Sequence, residues 1–389
     1  MVESADVIVI GAGVQGASLV FHLARRGVRS IVVERTTVAA GATGRSSGLV
    51  RMHYDLIADA RLAWASYGWF RDWAERVGGD CGFTRTGFLK IVGSDYAAAL
   101  QANVVAQQAI GIPTSVLSVE EVRRLAPVLA IEDGEAAAYE PESGYADPAA
   151  TAAGFLRAAR DLGARLVQGA EVTGIPVAGG AVTGVETTRG SFAAPVVVNA
   201  AGGWAARVAA LVGLEIPVTV WRHDTAFLGT PSSVPATFPV VIDDVNSMYF
   251  RPEGGELVLV GLENANETDG SPDRETASVA PDFRDRATER IIRRVPGLAD
   301  GTFRSAHSGQ DGLTPDQHAI LGPAGPSGFY LDCGHSGTGF KTSPAVGLGM
   351  AELILNGAAT TVDLTPFELG RFAADRLLVG EHPYKPAWR

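Results

Sequence analysis

Three glycines, Gly11, Gly13 and Gly16, lie within DVIVIGAGVQGASLVFHLARRGVRSIVVE (residues 6–34), and no other stretch restricts the fold as strongly. Residues 7–10 are continuously apolar, as a parallel strand buried on both faces must be. ASLVFHLARRG then spaces its apolar residues helically and stops at Gly27, and SIVVE is a second apolar run that ends on Glu34. The order is strand, glycine turn, helix, strand, with an acid about 20 positions beyond the glycines, which is the pattern of a nucleotide-binding β-α-β unit.

Each residue type has a task in that unit. Gly11 permits the tight turn, Gly13 lets backbone approach a pyrophosphate, and Gly16 lets helix and strand pack closely. The helix start at Val14 and Gln15 offers N–H groups to phosphate. Glu34 can accept both ribose hydroxyls and would repel a 2′-phosphate. After Glu34 the chain continues from Arg35 into a small-residue loop, Gly41, Ala42, Thr43, Gly44, Ser46, Ser47 and Gly48, which ends near Arg51. A nicotinamide enzyme would usually go straight into another β-α unit. A loop of this kind can lie flat against a large planar ligand, so FAD is favoured over NAD.

At 389 residues the chain is long enough for two domains, and 46% hydrophobic residues supply their cores. The formal net charge of -11 opposes nucleic-acid binding. Cys81 and Cys333 stand far apart, in no metal-ligand spacing, so neither a disulfide scaffold nor a metal site is expected. The acidic start MVESAD is unlike a signal peptide, and no apolar run is long enough for a membrane span. A cytoplasmic setting is expected.

Residues 59–77 read as a helix whose Trp64, Trp69, Phe70 and Trp73 belong to a core, and residues 82–92 read as strands. Residues 123–145 read as turn-rich, with Pro127 and Pro141. Asp147 and Pro148 suit the cap and first position of a helix ending near Gly163. RLVQGAEVTGI reads as one strand, GGAVTGVETTRG as a hairpin, and PVVVNAAGGWA as a buried strand with a small-residue turn. From Pro217 to about Phe303 alternating strands point to an antiparallel sheet, with a helix near residues 282–294. The expected architecture is α/β (α+β overall). A Rossmann-like nucleotide domain is built from residues 1–80, 146–215 and 310–372. A substrate domain is built from 81–145 and 216–309, and 373–389 form a C-terminal tail.

Near the end, LDCGHSGTGFKTSPAVG places Lys341, one of three lysines in the chain with Lys90 and Lys385, in a glycine-rich loop. Ser343 and Pro344 are expected to start a helix there, with its positive end toward the ligand.

Four stretches, the glycine unit, SSGLVRMHY, VVVNAAGGWA and LTPDQHAILGP with the Lys341 loop, resemble the D-amino-acid-oxidase superfamily. The likeness is greatest to its sarcosine oxidase, dimethylglycine dehydrogenase and glycine oxidase branch, and it covers nearly the whole chain. The resemblance implies oxidation of a C–N bond in an amino acid or N-methyl amine, with hydride passing to flavin N5 and hydrolysis of the imine. It implies that Arg51 and Lys341 bind the substrate carboxylate. Val172 would touch adenine, Ala200, Ala201 and Gly202 the nucleotide, and Gly337, Thr338, Gly339 and Phe340 the ring. His53 and Tyr54 would shape the pocket or assist proton movement, and His335 would lie near the ring.

Two departures from that branch carry consequences. Where monomeric sarcosine oxidases hold flavin through a cysteine, this chain reads HSGQDGLTPD, so non-covalent FAD is expected. Where they carry a lysine for oxygen activation, GELVLVG has none, which favours a dehydrogenase or a slow oxidase unless Arg222 or Arg251 supplies the charge. Asp316 and His318 read as loop hydrogen-bonders, and His223 as a weak site candidate. Alternatives are a 2-hydroxy-acid dehydrogenase with the same carboxylate clamp, or the flavin subunit of a larger complex. The partners expected are a small amino acid or amine, O2 or another acceptor, and either a second copy or a partner subunit.

Overall fold

The computed structural model describes residues 2–264, 266–268, 270–274 and 277–384; Lys385 lies outside them. A six-stranded sheet runs in the order Arg165–Val167, Ser30–Val33, Val7–Ile10, Val196–Asn199, Phe329–Cys333, Ile320–Pro323. The first five strands are parallel and the last is antiparallel to its neighbour. Three stretches far apart in sequence therefore build one sheet.

The strand Val7–Ile10 is buried throughout because both faces of the sheet are covered. Val7, Val9, Val32 and Val198 share a core with helices Val14–Ala24, Pro148–Asp161 and Gly339–Asn356. Ile8, Ile10, Val33 and Val197 pack the other way, against Val185 and Phe192 of a small four-stranded sheet. Asp147 caps its helix as its residue type suggests, its Oδ1 accepting from Ala149 and Ala150 N–H at 2.9 Å, with Pro148 in the first turn.

An eight-stranded sheet forms the second layer, in the order Thr302–Leu313, Thr219–Gly229, Leu257–Leu262, Met248–Glu253, Val240–Asp243, Phe88–Val92, Ala136–Glu140, Ser115–Leu117. It is antiparallel except where Val240–Asp243 meets Phe88–Val92, so the sheet is mixed. That parallel pair joins strands about 150 positions apart, a crossover that local alternation does not reveal.

Local readings need four further corrections. The aromatic helix is two, Ile57–Arg71 and Trp73–Arg76, separated at Asp72. Residues 123–145 hold the end of a helix and the strand Ala136–Glu140, not turns alone. RLVQGAEVTGI is two strands, Arg165–Val167 and Val172–Gly174, in different sheets. The helix expected to start at Ser343 and Pro344 begins at Gly339, after Thr338, with Pro344 inside it. Proline there removes the donor that Phe340 carbonyl would receive, and Ser343 Oγ replaces it at 2.9 Å. Lys341 thus stands in the first turn of a helix rather than in a loop before one.

Asp316 and His318 are both in buried contacts. Arg371 donates two bonds to Asp316, at 2.7 and 3.0 Å, and His318 Nδ1 lies 2.7 Å from Asp59 Oδ2. Among the described residues no helix is long and apolar enough to cross a membrane, and no His, Cys, Asp and Glu cluster is placed to hold a metal ion.

Candidate active site

The turn after Val7–Ile10 is built by glycine geometry. Gly11 has φ +108°, and a Cβ there would lie 2.5 Å from the Ala200 oxygen. A Cβ on Gly16 would lie 2.2 Å from the Gly11 oxygen, so Gly16 serves close packing and does not line the cavity. Gly13, by contrast, faces only Thr43 Oγ1 at 3.2 Å. The helix it caps has no acid in its first turn and no side-chain cap from Gly13 itself, although Val14 N–H donates to Thr43 Oγ1 at 3.0 Å. Such a helix start suits an anionic diphosphate.

A cavity of about 760 Å³ opens from this turn, well within the range of ligand sites. At one end it is lined by Glu34, Arg35, Val172 and Trp204, along its length by Gly11, Gly13, Val14, Gln15, Ala42, Thr43, Ser46, Ser47, Ala200, Ala201 and Gly202, and further on by Gly337, Gly339, Phe340, Lys341 and Arg51. Gly48, Thr338, His53 and Tyr54 stand outside the lining. Gly48, at φ +68°, is pressed against the Ala146 oxygen, and Thr338 Oγ1 donates to the His335 carbonyl. Glu34 is partly engaged: its Oε2 accepts from Ala12 N–H at 2.9 Å and its Oε1 from Thr36 N–H at 2.8 Å.

Several lining groups escaped the sequence reading. Asp273 accepts from Arg35 at 2.7 Å, from Trp204 Nε1 at 2.8 Å and from Arg207, while Arg35 lies over the Trp204 ring at 4.5 Å. These bonds carry an excursion from the larger sheet across to the Glu34 end. Opposite, the register of Thr219–Gly229 against Thr302–Leu313 sets Trp221 beside Asp311 and His223 beside Gly309, and all four line the cavity. Period-2 alternation does put Trp221 and His223 on one strand face, but nothing local says which strand lies opposite. Tyr249 Oη meets His223 Nε2 at 2.7 Å. Burial brings His223 down to about 4, so its ring is neutral at pH 7. His335, which was expected near the ring, lines the cavity between Asp332 (3.0 Å) and Gln15 (3.3 Å).

Arg51 and Lys341 are both buried and both line the cavity. Arg51 donates through Nη1 to the His53 carbonyl, its Nε has no partner, and its guanidinium lies 4.2 Å over the Tyr54 ring. Lys341 Nζ donates to the Gly337 carbonyl at 3.1 Å and lies 5.9 Å from the same ring. Burial first, and then the charge of Arg51, push the ammonium well below the usual lysine range, while Asp59 and Asp311 oppose that. Neither cation forms an ion pair among the described residues. The carboxyl groups around them are engaged elsewhere. Glu140, pushed up to about 7 by burial, accepts from Met52 N–H and Ser143 Oγ; Asp59 is with His318; Asp311 accepts from Gly312 and Gly337 N–H.

Arg222 and Arg251 do not replace the missing lysine of the GELVLVG strand. Neither lines the cavity, and they pair with Asp224 and Glu253. At Gly309 a Cβ would lie 3.0 Å from Arg45 Cβ, and buried Cys81 and Cys333 lie outside the lining.

Residues 6–353 match the family described as FAD dependent oxidoreductase, DAO. Mitochondrial sarcosine dehydrogenase of Mus musculus is 30% identical over 388 residues, an overlap of 95% of this chain but 42% of that protein, so the chain spans less than half the length of this relative. Glycine oxidase of Geobacillus kaustophilus (strain HTA426) is 30% identical over 381 residues, with 95% of this chain and 98% of that one covered. The crystal structure of L-proline dehydrogenase from P. horikoshii is similar at a TM-score of 0.90 and 26% identity, over 97% of this chain and 100% of that one. The chain belongs to the DAO family of FAD-dependent oxidoreductases.

Proposed function

We propose that the chain oxidises the C–N bond of an amino acid or N-methyl amino acid, giving an imine that water hydrolyses. The observation that carries this reading is the pair of buried cations, Arg51 and Lys341, that face one cavity without a carboxylate of their own. An α-amino carboxylate supplies the missing anion. Glycine, sarcosine and L-proline, for which the three relatives are named, share that group.

When bound, FAD supplies hydride acceptance at its N5 position. The residues that would hold it are Gly11, Gly13, Val14 and Gln15 at the diphosphate, Glu34 at the ribose, Val172 at the adenine, and Ala42, Thr43, Ser46 and Ser47 with Gly337, Gly339 and Phe340 at the ring. The open start of helix Val14–Ala24 and the bare face of Gly13 fit this group. Arg51 grips one carboxylate face through two N–H bonds and Lys341 adds a point charge, so the reacting carbon is fixed in place. The remaining wall at that end includes Trp221, neutral His223 and Tyr249. An amine that binds uncharged against such a wall needs no dedicated base. With no cysteine in the lining we propose non-covalent FAD, and acid precipitation is expected to leave the yellow colour in the supernatant. Colour in the pellet would overturn that assignment. Two free, buried cysteines suit a reducing compartment, and the cytoplasm is our proposed setting.

Mixed anaerobically with the holoenzyme, N-methyl or primary α-amino acids are expected to bleach the flavin absorbance. Bleaching by 2-hydroxy acids alone would replace this reading with hydroxy-acid oxidation. Admitting air should reoxidise the flavin more slowly than an artificial acceptor does, because neither Arg222 nor Arg251 offers its charge to the cavity.

Arg51→Met is expected to raise KM about 100-fold with a smaller change in kcat, since losing one charged partner of a buried ionic contact costs roughly 3 kcal/mol. An unchanged KM would remove Arg51 from the clamp. Lys341→Met should also raise KM, yet stabilise the substrate-free protein. Because the folded chain lowers the pKa of Lys341, the unfolded chain binds more protons below the ordinary lysine range. Buried Lys341 therefore costs stability there, and the cost shrinks as pH rises toward about 10.4. Melting curves should show a higher Tm for the variant at pH 7, with the gain disappearing in strong alkali; a lower Tm at pH 7 would contradict the argument.

A further inference from the structure

A carboxylate clamp works only if its guanidinium is held still, and the bond that holds Arg51 is the one it donates to the His53 carbonyl. His53 is itself fixed from far along the chain. Its Nε2 lies 2.6 Å from Tyr384 Oη, and the two rings stack with centroids 5.8 Å apart and planes 25° apart. Tyr384 belongs to a segment that is tied to the body of the protein by bonds of its backbone. Leu378 N–H donates to Asp316 Oδ2 at 3.1 Å, Glu381 N–H to the Asp55 carbonyl at 3.1 Å, and Asn103 Nδ2 to the His382 carbonyl at 2.8 Å. Glu381 in turn accepts from Ile57 N–H at 3.0 Å. Gly380 passes so close to Asp55 that a Cβ would lie 2.5 Å from its carboxyl carbon.

On its other side the Tyr384 ring meets Lys90, whose Nζ lies 5.0 Å from the ring centroid and 2.6 Å from Asp244. The tyrosine thus meets both His53 and a buried cation, and its hydroxyl, beside Asn103, bonds to His53. Neither His53 nor Tyr384 lines the cavity, whereas Arg51, bonded to the His53 carbonyl, does.

We infer that Tyr384 is a positioning residue for the substrate carboxylate: its hydroxyl and ring hold His53, and the His53 carbonyl aims the guanidinium of Arg51 into the cavity. The inference rests on the reading of Arg51 as the carboxylate ligand. Without the hydroxyl, His53 keeps its stacking partner and its contact with Gln107 but loses the bond to Tyr384, and Arg51 samples orientations that do not meet the carboxylate.

Acetate, which has the carboxylate and no oxidisable C–N bond, separates binding from chemistry. Titrated into the holoenzyme and followed by flavin absorbance, it should bind Tyr384→Phe about fivefold more weakly than the parent, the size of one hydrogen bond. KM for a reactive amino acid should rise in parallel, with kcat unchanged. Tyr384→Ala, which also loses the stacking, should be weaker still. If Tyr384→Phe binds acetate as tightly as the parent while Arg51→Met does not, Tyr384 only packs, and the inference is overturned with the proposed function intact. If Arg51→Met also binds acetate normally, the clamp and this inference fall together. A fall in kcat and Tm with acetate binding unchanged would likewise assign Tyr384 to packing alone.

Discussion

Two like charges face one buried space in this fold, and the surrounding structure has to bear the repulsion. Arg51 lies over the Tyr54 ring and donates to a backbone carbonyl; Lys341 reaches back to the Gly337 carbonyl one turn earlier. These are weak substitutes for an anion, because a ring face and a carbonyl offer partial charge only. Lys341 is also placed in the first turn of helix Gly339–Asn356, where the helix dipole disfavours a cation. Every one of these arrangements becomes favourable when an anionic group enters between the two side chains. The protein therefore bears the cost of holding two buried cationic side chains in one cavity without an anion between them among the described residues.

The rest of the architecture brings that pair into the same cavity as the glycine turn. Arg51 comes from just beyond the small-residue loop, and Lys341 from a helix that packs on Val14–Ala24. The first cation is thus tied to the loop and the second to the helix that starts at the glycines. The larger sheet closes the space from the opposite side with Trp221, His223, Tyr249 and Asp311.

The parts legible in the sequence were those decided by neighbours in the chain. The glycine turn, its strand and helix, and the Asp147–Pro148 helix start each follow from a few adjacent residues. The parts that were not legible depend on partners from 69 to 331 positions away. Nothing near Tyr384 points to His53, and nothing near Asp273 points to Arg35 and Trp204. The parallel pairing of Val240–Asp243 with Phe88–Val92 is invisible for the same reason. Pro344 misled because proline usually marks a helix start, and the compensating bond from Ser343 to Phe340 only exists once the helix is formed. Tyr54 and His53, read as pocket residues from their place beside Arg51, stand one layer behind it.

The clasp around Asp273 gives the two ends of the cavity different characters. Its arginines and its carboxylate are all more than a third open to solvent, so their attraction is weakened by dissolved ions, which screen exposed charges within about 10 Å at 0.1 M. Arg51 and Lys341 are buried and are screened much less. The exposed clasp at Asp273 is therefore sensitive to ionic strength, whereas the buried pair is much less so.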